Sequence, residues 1–510
     1  MNRKEGKWIA DLGDGTYKNP ILYADYSDPD VVRVGDDFYM TASTFTYVPG
    51  LPILHSKDLV NWELINYAVK KLPDRYNVPV HGCGVWAPAI RYNDGKFYIY
   101  FGDPDIGIFM TYTDDIYGEW SDLILVKEAV GIIDTCPIWD DDGKAYIVHG
   151  YANSRCGIKS HLAVCEMTWD GTKTISEDKI IFNGTISQPT IEGPKAYKRD
   201  GYYYVLSPAG GVPTGWQVAL RSKNIYGPYE DHIVMRQGLT QFNGPHQGGM
   251  VELESGESWF IHFQDLEVIG RIIHLQPVEW IDGWPVMGEN IDSGLCGQPV
   301  YRHKKPDVGG EYPIVTPPTS DDFSGDKLAL QWQWQANPQE KWYSMTENKD
   351  SLRLYGQNEK TEQDGYLWNM PNLLTQLWQA PSMVTTVKVD MPKGTGKCSA
   401  GLGVIGQKYG YLALNDEGIV EYYYGDFKNG NSETKVLDKC VGTTSVYLRT
   451  EVISCSNSKE AFCRLYYSVD GEEFTQLGEY ECMQGKWVGA KHAIFCRGEG
   501  YADFSDFLVV

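Results

Sequence analysis

Three acidic residues stand at matching places far apart in the chain: Asp28 in YSDPDVV, Asp134 in GIIDTCPIWDDDGKAY and Glu192 in QPTIEGPKAYKRDGYYY. Each precedes, by a short apolar segment, a tight turn and an aromatic-rich alternating run. Crowding carboxylates before a strand is costly, because they repel one another and have low strand propensity. The cluster Asp25, Asp28 and Asp30 is therefore either a polar loop or holds at least one acid for chemistry. Cleavage of a sugar acetal needs two carboxyl groups, one to protonate the leaving oxygen and one to activate water or attack. The proton donor must stay protonated near neutral pH, which burial or a neighbouring negative charge achieves. A third carboxylate is a natural means to that end.

A repeating scaffold would bring residues this far apart to one point, and the sequence carries one. GDDFYM (35–40), DGKFYIY (94–100), DGKAYIV (142–148), DGYYYVL (200–206) and GESWFIH (256–262) share a polar turn followed by an alternating aromatic run, a hairpin signature. Five copies at a period of about fifty residues predict a five-bladed β-propeller. A closed ring leaves few sheet edges and aims one inner strand per blade at a common axis. The repeat stops near residue 300, and the Pro-, Gly- and charge-rich stretch 301–327 reads as a connection. We divide the chain into a propeller at 1–303 (with 1–17 as an N-terminal extension), a linker at 304–320 and a β-sandwich at 321–510. The sandwich is expected from short alternating strands such as LRLYG (352–356) and RLYYSVDGEEFTQLGEY (464–480), with no helical period among them. The tryptophan-rich LQWQWQANPQEKWY (330–343) reads as core packing in preference to a binding surface.

Bulk properties narrow the partners. A formal charge of −23 over 510 residues argues against nucleic acid and anionic membrane surfaces, and no run of 18 apolar residues is present. Aromatic residues make up 13% of the chain, which suits sugar faces but is also common in β-proteins. Eleven cysteines are scattered, without zinc or redox spacing. The opening MNRKEGKWIADLGDG has basic residues with no apolar run behind them. That fits a cytoplasmic chain, or a periplasmic or secreted one whose signal has been removed.

Taken together, SDPD, PGLPILHSKDLVNWE, VWAPAI, IIDTCPIWDDDGKAY, IEGPKAY and GRIIHLQPVEW resemble glycoside hydrolase family 43, in the branch of β-xylosidases and α-L-arabinofuranosidases. The resemblance runs from NPILYADYSDPD to GEGYADFSDFLV. It implies an all-β fold, a five-bladed propeller with a lectin-like, concanavalin-type β-sandwich behind it, and an inverting mechanism. Carried over by position, it implies Asp28 as general base, Glu192 as general acid and Asp134 as the residue that tunes the acid's pKa and orientation. It sets Trp86 and Phe45 against the sugar ring and Arg271 on a sugar hydroxyl. It also marks His246 as a residue near the axis that in relatives is associated with a structural calcium; the chemistry itself requires no cofactor. Lys195 and Val212 depart from the β-xylosidase pattern, which has histidine and threonine there. Loss of a hydroxyl donor near the pocket tilts the expected substrate towards terminal α-L-arabinofuranosyl groups of plant hemicellulose, with β-D-xylosides as the alternative. A fructosidase-like hydrolase lacks its expected motifs here. A non-catalytic carbohydrate-binding protein would need a broken acid triad, and all three acids are present.

Overall fold

The computed structural model describes residues 7–291, 294–357, 366–394, 397–430, 432–454 and 460–510. Five four-stranded antiparallel sheets follow one another in sequence order. Their innermost strands are Asp30–Val34, Trp86–Asn93, Ile132–Trp139, Lys195–Arg199 and Gly248–Glu252. Each pairs with the strand that follows its predicted turn. Blade strands such as Lys96–Asp103 and Ile132–Trp139 are buried along almost their whole length, because each blade is covered on both faces by its neighbours. The sandwich strands behave differently: Ser382–Asp390 and Ser445–Ser454 alternate buried and accessible residues, as strands with one face on a core must.

The ring is closed from its N-terminal side. Thr16–Lys18 pairs with Arg302–Lys304, and Leu22 bridges Ile273 in the fifth blade. The Asn19 amide donates to the carbonyls of Leu275 and Val300 at 2.8 and 2.9 Å. Lys305, just past this strand, reaches back to Asp11 and Asp58 at 2.6 and 2.7 Å. The extension and the start of the connection therefore clasp the propeller, and the first six residues of that extension lie outside the described residues.

Two seven-stranded antiparallel sheets make the C-terminal sandwich. Its core takes in Trp332, Trp334 and Trp342 together with Tyr23, Val268, Ile269 and Ile272 of the propeller. The tryptophan-rich stretch is thus packing. Polar contacts sew the same seam: the Asn337 side chain bonds the backbone N–H and C=O of Leu72, both at 2.8 Å, and Trp334 bridges Val48. The ten described cysteines are free thiols; Cys455 lies outside the described residues. Among the described residues no helix is long and apolar enough to cross a membrane.

Candidate active site

Two inner strands and the loops around the first are kinked where they meet the cavity. Asp28 (φ 52°), Phe45 (φ 53°), Ala87 (φ 37°) and Asp134 (φ 58°) adopt positive φ without being glycine. The ladder register shifts between Trp86 and Ala89 and again between Ile133 and Cys136. Such bulges re-aim side chains at the cost of local strain, which surrounding structure must hold. Gly84 shows how the first two blades meet here. Its φ is +102°, and a Cβ on it would lie 2.3 Å from the Phe45 carbonyl, so only glycine permits the paired hydrogen bonds between Phe45 and Val85.

These kinks bring Asp28, Asp134 and Glu192 into one cavity of about 160 Å³, shared with Phe45, Trp86, Ile133, Val212, Gln247, Arg271 and Trp487. Asp28 is firmly held: Oδ2 accepts from the Ser27 and Ser43 hydroxyls at 2.7 and 2.8 Å, and Arg271 Nη1 lies 3.0 Å from both carboxylate oxygens. Ser43 in turn accepts from the Ala87 N–H at 2.7 Å, so the strained second-blade kink and the Asp28 carboxylate share a brace. Asp134 Oδ2 accepts the backbone N–H of Gly193 at 2.8 Å, which ties it to the residue after Glu192. The Glu192 carboxylate is 35% exposed and lies 3.0 Å from His246 Nε2.

Burial first, and then the charges of Glu192 and Asp28, push the Asp134 carboxyl up to about 8. Asp134 is the deeper of the two acids, with 5% exposure.

Other predicted residues fall as follows. Phe45 and Trp86 meet edge to face at 6.0 Å in the pocket wall, and Arg271 lies beside Asp28. Lys195 does not line the cavity. It is fully buried, and Nζ donates to the Pro88 carbonyl at 2.8 Å, so it braces the second-blade kink and faces no sugar. Val212 does line the cavity. Asp30 and Asp25 are both buried. Asp30 locks the first blade to the second through Arg91 and the Ile90 N–H at 2.6 and 3.0 Å.

His246 is 1% exposed, with Nε2 on Glu192 and Nδ1 without a partner. Calcium takes six to eight oxygen ligands. One imidazole nitrogen beside a carboxylate already engaged at Nε2 supplies no such set, so these residues do not fit a protein-built calcium cage. Among the described residues, His149, Cys165 and Asp178 form the one group with metal-ligand proximity, and Lys127 already sits 2.5 Å from Asp178.

Four lining residues escaped the sequence reading, the apolar Ala87 and Ile133 and two that can contact a ligand by a ring or a polar group, Trp487 and Gln247. Trp487 projects from a sandwich loop and meets Trp86 at 6.3 Å. Gln247 is 2% exposed, and its Nε2 has no partner, which leaves a buried donor free for a ligand hydroxyl. No periodicity marks either one, although Gln247 adjoins His246 in the segment already singled out.

Carboxyl groups converging in an aromatic-walled pocket on a propeller axis define a glycoside hydrolase site. Residues 17–285 match the model of glycosyl hydrolases family 43, and residues 320–509 match the beta xylosidase C-terminal concanavalin A-like domain. The chain belongs to glycoside hydrolase family 43. It is 38% identical to a Xylanibacter ruminicola protein provisionally named a beta-xylosidase, over 95% of this chain and 87% of that one. It is 33% identical to a beta-xylosidase of Formosa agariphila, over 98% and 91%. A non-reducing end alpha-L-arabinofuranosidase of Bacteroides ovatus shares 35% identity over 69% and 67%. The structure superposes on a bifunctional GH43-CE protein of Bacteroides eggerthii with a TM-score of 0.82 and 28% identity, covering 97% of this chain and 63% of that one.

Proposed function

We propose that the protein is an inverting, exo-acting hydrolase that removes a terminal pentose, with β-D-xylosides as its first substrates. The observation that carries this reading is the pocket itself. Three acids from three blades share a small cavity walled by Phe45, Trp86 and Trp487, a size and lining suited to one sugar ring. Asp28 is the general base: its carboxylate is fixed by Arg271 and two hydroxyls and is placed to take a proton from water. Glu192 is the general acid, the more exposed of the two neighbouring carboxyls and so the one that reaches the leaving oxygen. Asp134 tunes that acid through its nearby carboxyl and anchors the Glu192 turn through Gly193. Arg271 and Gln247 supply donors to sugar hydroxyls.

The α-L-arabinofuranoside expectation rested on Lys195 and Val212. Lys195 faces the second-blade kink and not the sugar, so Val212 alone sustains it. That apolar wall, together with the arabinofuranosidase relative, keeps α-L-arabinofuranosides as the second reading. Side-by-side hydrolysis of 4-nitrophenyl β-D-xylopyranoside and α-L-arabinofuranoside tests the order. The expected result is faster xyloside release with inverted product by proton NMR, abolished in Asp28→Ala. Retained configuration, or near-normal turnover in Asp28→Ala, overturns the mechanism. A large arabinoside preference reverses the substrate order.

A further inference from the structure

Asp25 sits behind the pocket and joins both domains through one carboxylate. Oδ1 accepts the backbone N–H of Arg271 at 2.9 Å, and Oδ2 accepts the backbone N–H of Gly489 at 2.8 Å. Glycines make this approach possible. A Cβ on Gly270 would lie 2.4 Å from the Asp25 carboxyl carbon, and one on Gly489 would lie 2.2 Å from the Ile269 carbonyl. The loop is pinned again one residue on, where the Ala490 N–H donates to the Val268 carbonyl at 2.7 Å. Two residues before Gly489 stands Trp487, half-exposed and facing Trp86. Arg271 is the same residue whose guanidinium grips Asp28.

We infer that Asp25 is a positioning residue which sets Trp487 over the sugar site in register with the Arg271–Asp28 pair. The inference rests on the reading of the pocket as a pentoside site. A carboxylate has acceptors on both oxygens and can serve two N–H groups at once. An amide has one acceptor, and its NH₂ would face the other N–H, donor against donor. Asp25→Asn therefore preserves shape while releasing one of the two backbone anchors, and the Gly489 loop, which unlike Arg271 is not held in a β-ladder, is the one that gives way. Without the anchor, Trp487 no longer closes the wall, and the lost aromatic contact weakens substrate binding without touching the reacting atoms.

The test is a double-mutant cycle in the full chain: Asp25→Asn, Trp487→Ala and both together, assayed on 4-nitrophenyl β-D-xylopyranoside with thermal stability recorded for each. We expect Trp487→Ala to raise KM by about tenfold, the equivalent of one aromatic contact. Asp25→Asn should raise KM by a similar factor with kcat changed by less than about threefold, and the double variant should be no worse than Trp487→Ala. A lowered melting temperature with wild-type KM, or KM effects that multiply in the double variant, overturns the inference. If Asp25→Asn fails to fold, Asp25→Ser, which keeps a single acceptor, replaces it in the same cycle with the same expectations. If the wild type releases no nitrophenol, the pentosidase reading fails separately. The cycle is then read from the calorimetric Kd of xylobiose, where the same non-additivity is required and its absence, or no binding, refutes the coupling.

Discussion

Asp134→Asn isolates the electrostatic cost of the site. The variant keeps a side-chain oxygen for the Gly193 N–H but removes a carboxyl raised from its usual 3.8 to about 8. An acid whose folded pKa lies above its unfolded one favours folding in its protonated form. That contribution is complete below pH 3.8 and is lost as pH rises towards 8. At 1.36 kcal/mol per pKa unit, the folded state is penalised by about 1–2 kcal/mol at pH 5 and about 4 kcal/mol at pH 7. An asparagine carries no such penalty. The variant should therefore melt higher than wild type, with a gap that widens from pH 5 to pH 8. For a unit this large each kcal/mol moves Tm by roughly 2 °C, so the gap should grow by about 7 °C across that range. Thermal unfolding followed by near-UV circular dichroism at several pH values reads it directly. Turnover should fall at least a hundredfold in the same protein, since the ionisable neighbour that tunes Glu192 is gone. A variant that melts below wild type at pH 8, or whose gap ignores pH, would show that Asp134 is stabilised as a carboxylate and refute the reasoning.

Further outcomes follow from single contacts. Glu192→Gln should lose turnover on 4-nitrophenyl xyloside by about 10³-fold yet recover much of it with a 2,4-dinitrophenyl leaving group, which needs no proton; equal loss on both substrates counts against Glu192 as the acid. Gln247→Ala should raise KM about tenfold with Tm nearly unchanged, because its Nε2 bonds nothing in the protein; a Tm loss without a KM change would make it a packing residue. Gly84→Ala should cost several kcal/mol and displace Phe45, given the 2.3 Å approach, and denaturant unfolding at unchanged midpoint would contradict that.

The propeller was readable because each blade repeats the same hairpin chemistry, and because the acids occupy the same place relative to it. The repeat gave the convergence; it could not give depth. Asp134 and Glu192 look alike in sequence, but only the packed ring makes one of them nearly sealed and the other a third exposed. Lys195 shows the limit more sharply. It stands three residues beyond Glu192, yet the left-handed turn at Gly193 (φ +58°) intervenes and the side chain runs to Pro88 behind the pocket. A pattern of residue types near a motif says nothing about which way such a turn sends them. Trp487 was invisible for another reason: it belongs to a loop between sandwich strands, and no local signal tells that the loop ends in another domain's pocket. Asp25 and Asp30 stand in a cluster that the sequence leaves open between polar loop and chemistry, and they prove to be buried joints, because the partners that justify their burial lie 246 and 61 residues away.

The Asp25–Gly489 hydrogen bond spans 464 positions of sequence. At five to twenty residues per second, a ribosome needs roughly 25 to 90 seconds between making one end and the other. During that interval the propeller can close its ring with all three acids in place but with one wall of the pocket missing and the apolar seam of Tyr23, Val268, Ile269 and Ile272 uncovered. The nascent chain thus passes through a stage at which its chemistry is assembled and its grip is not, and the final strands both bury the seam and supply the tryptophan that finishes the pocket.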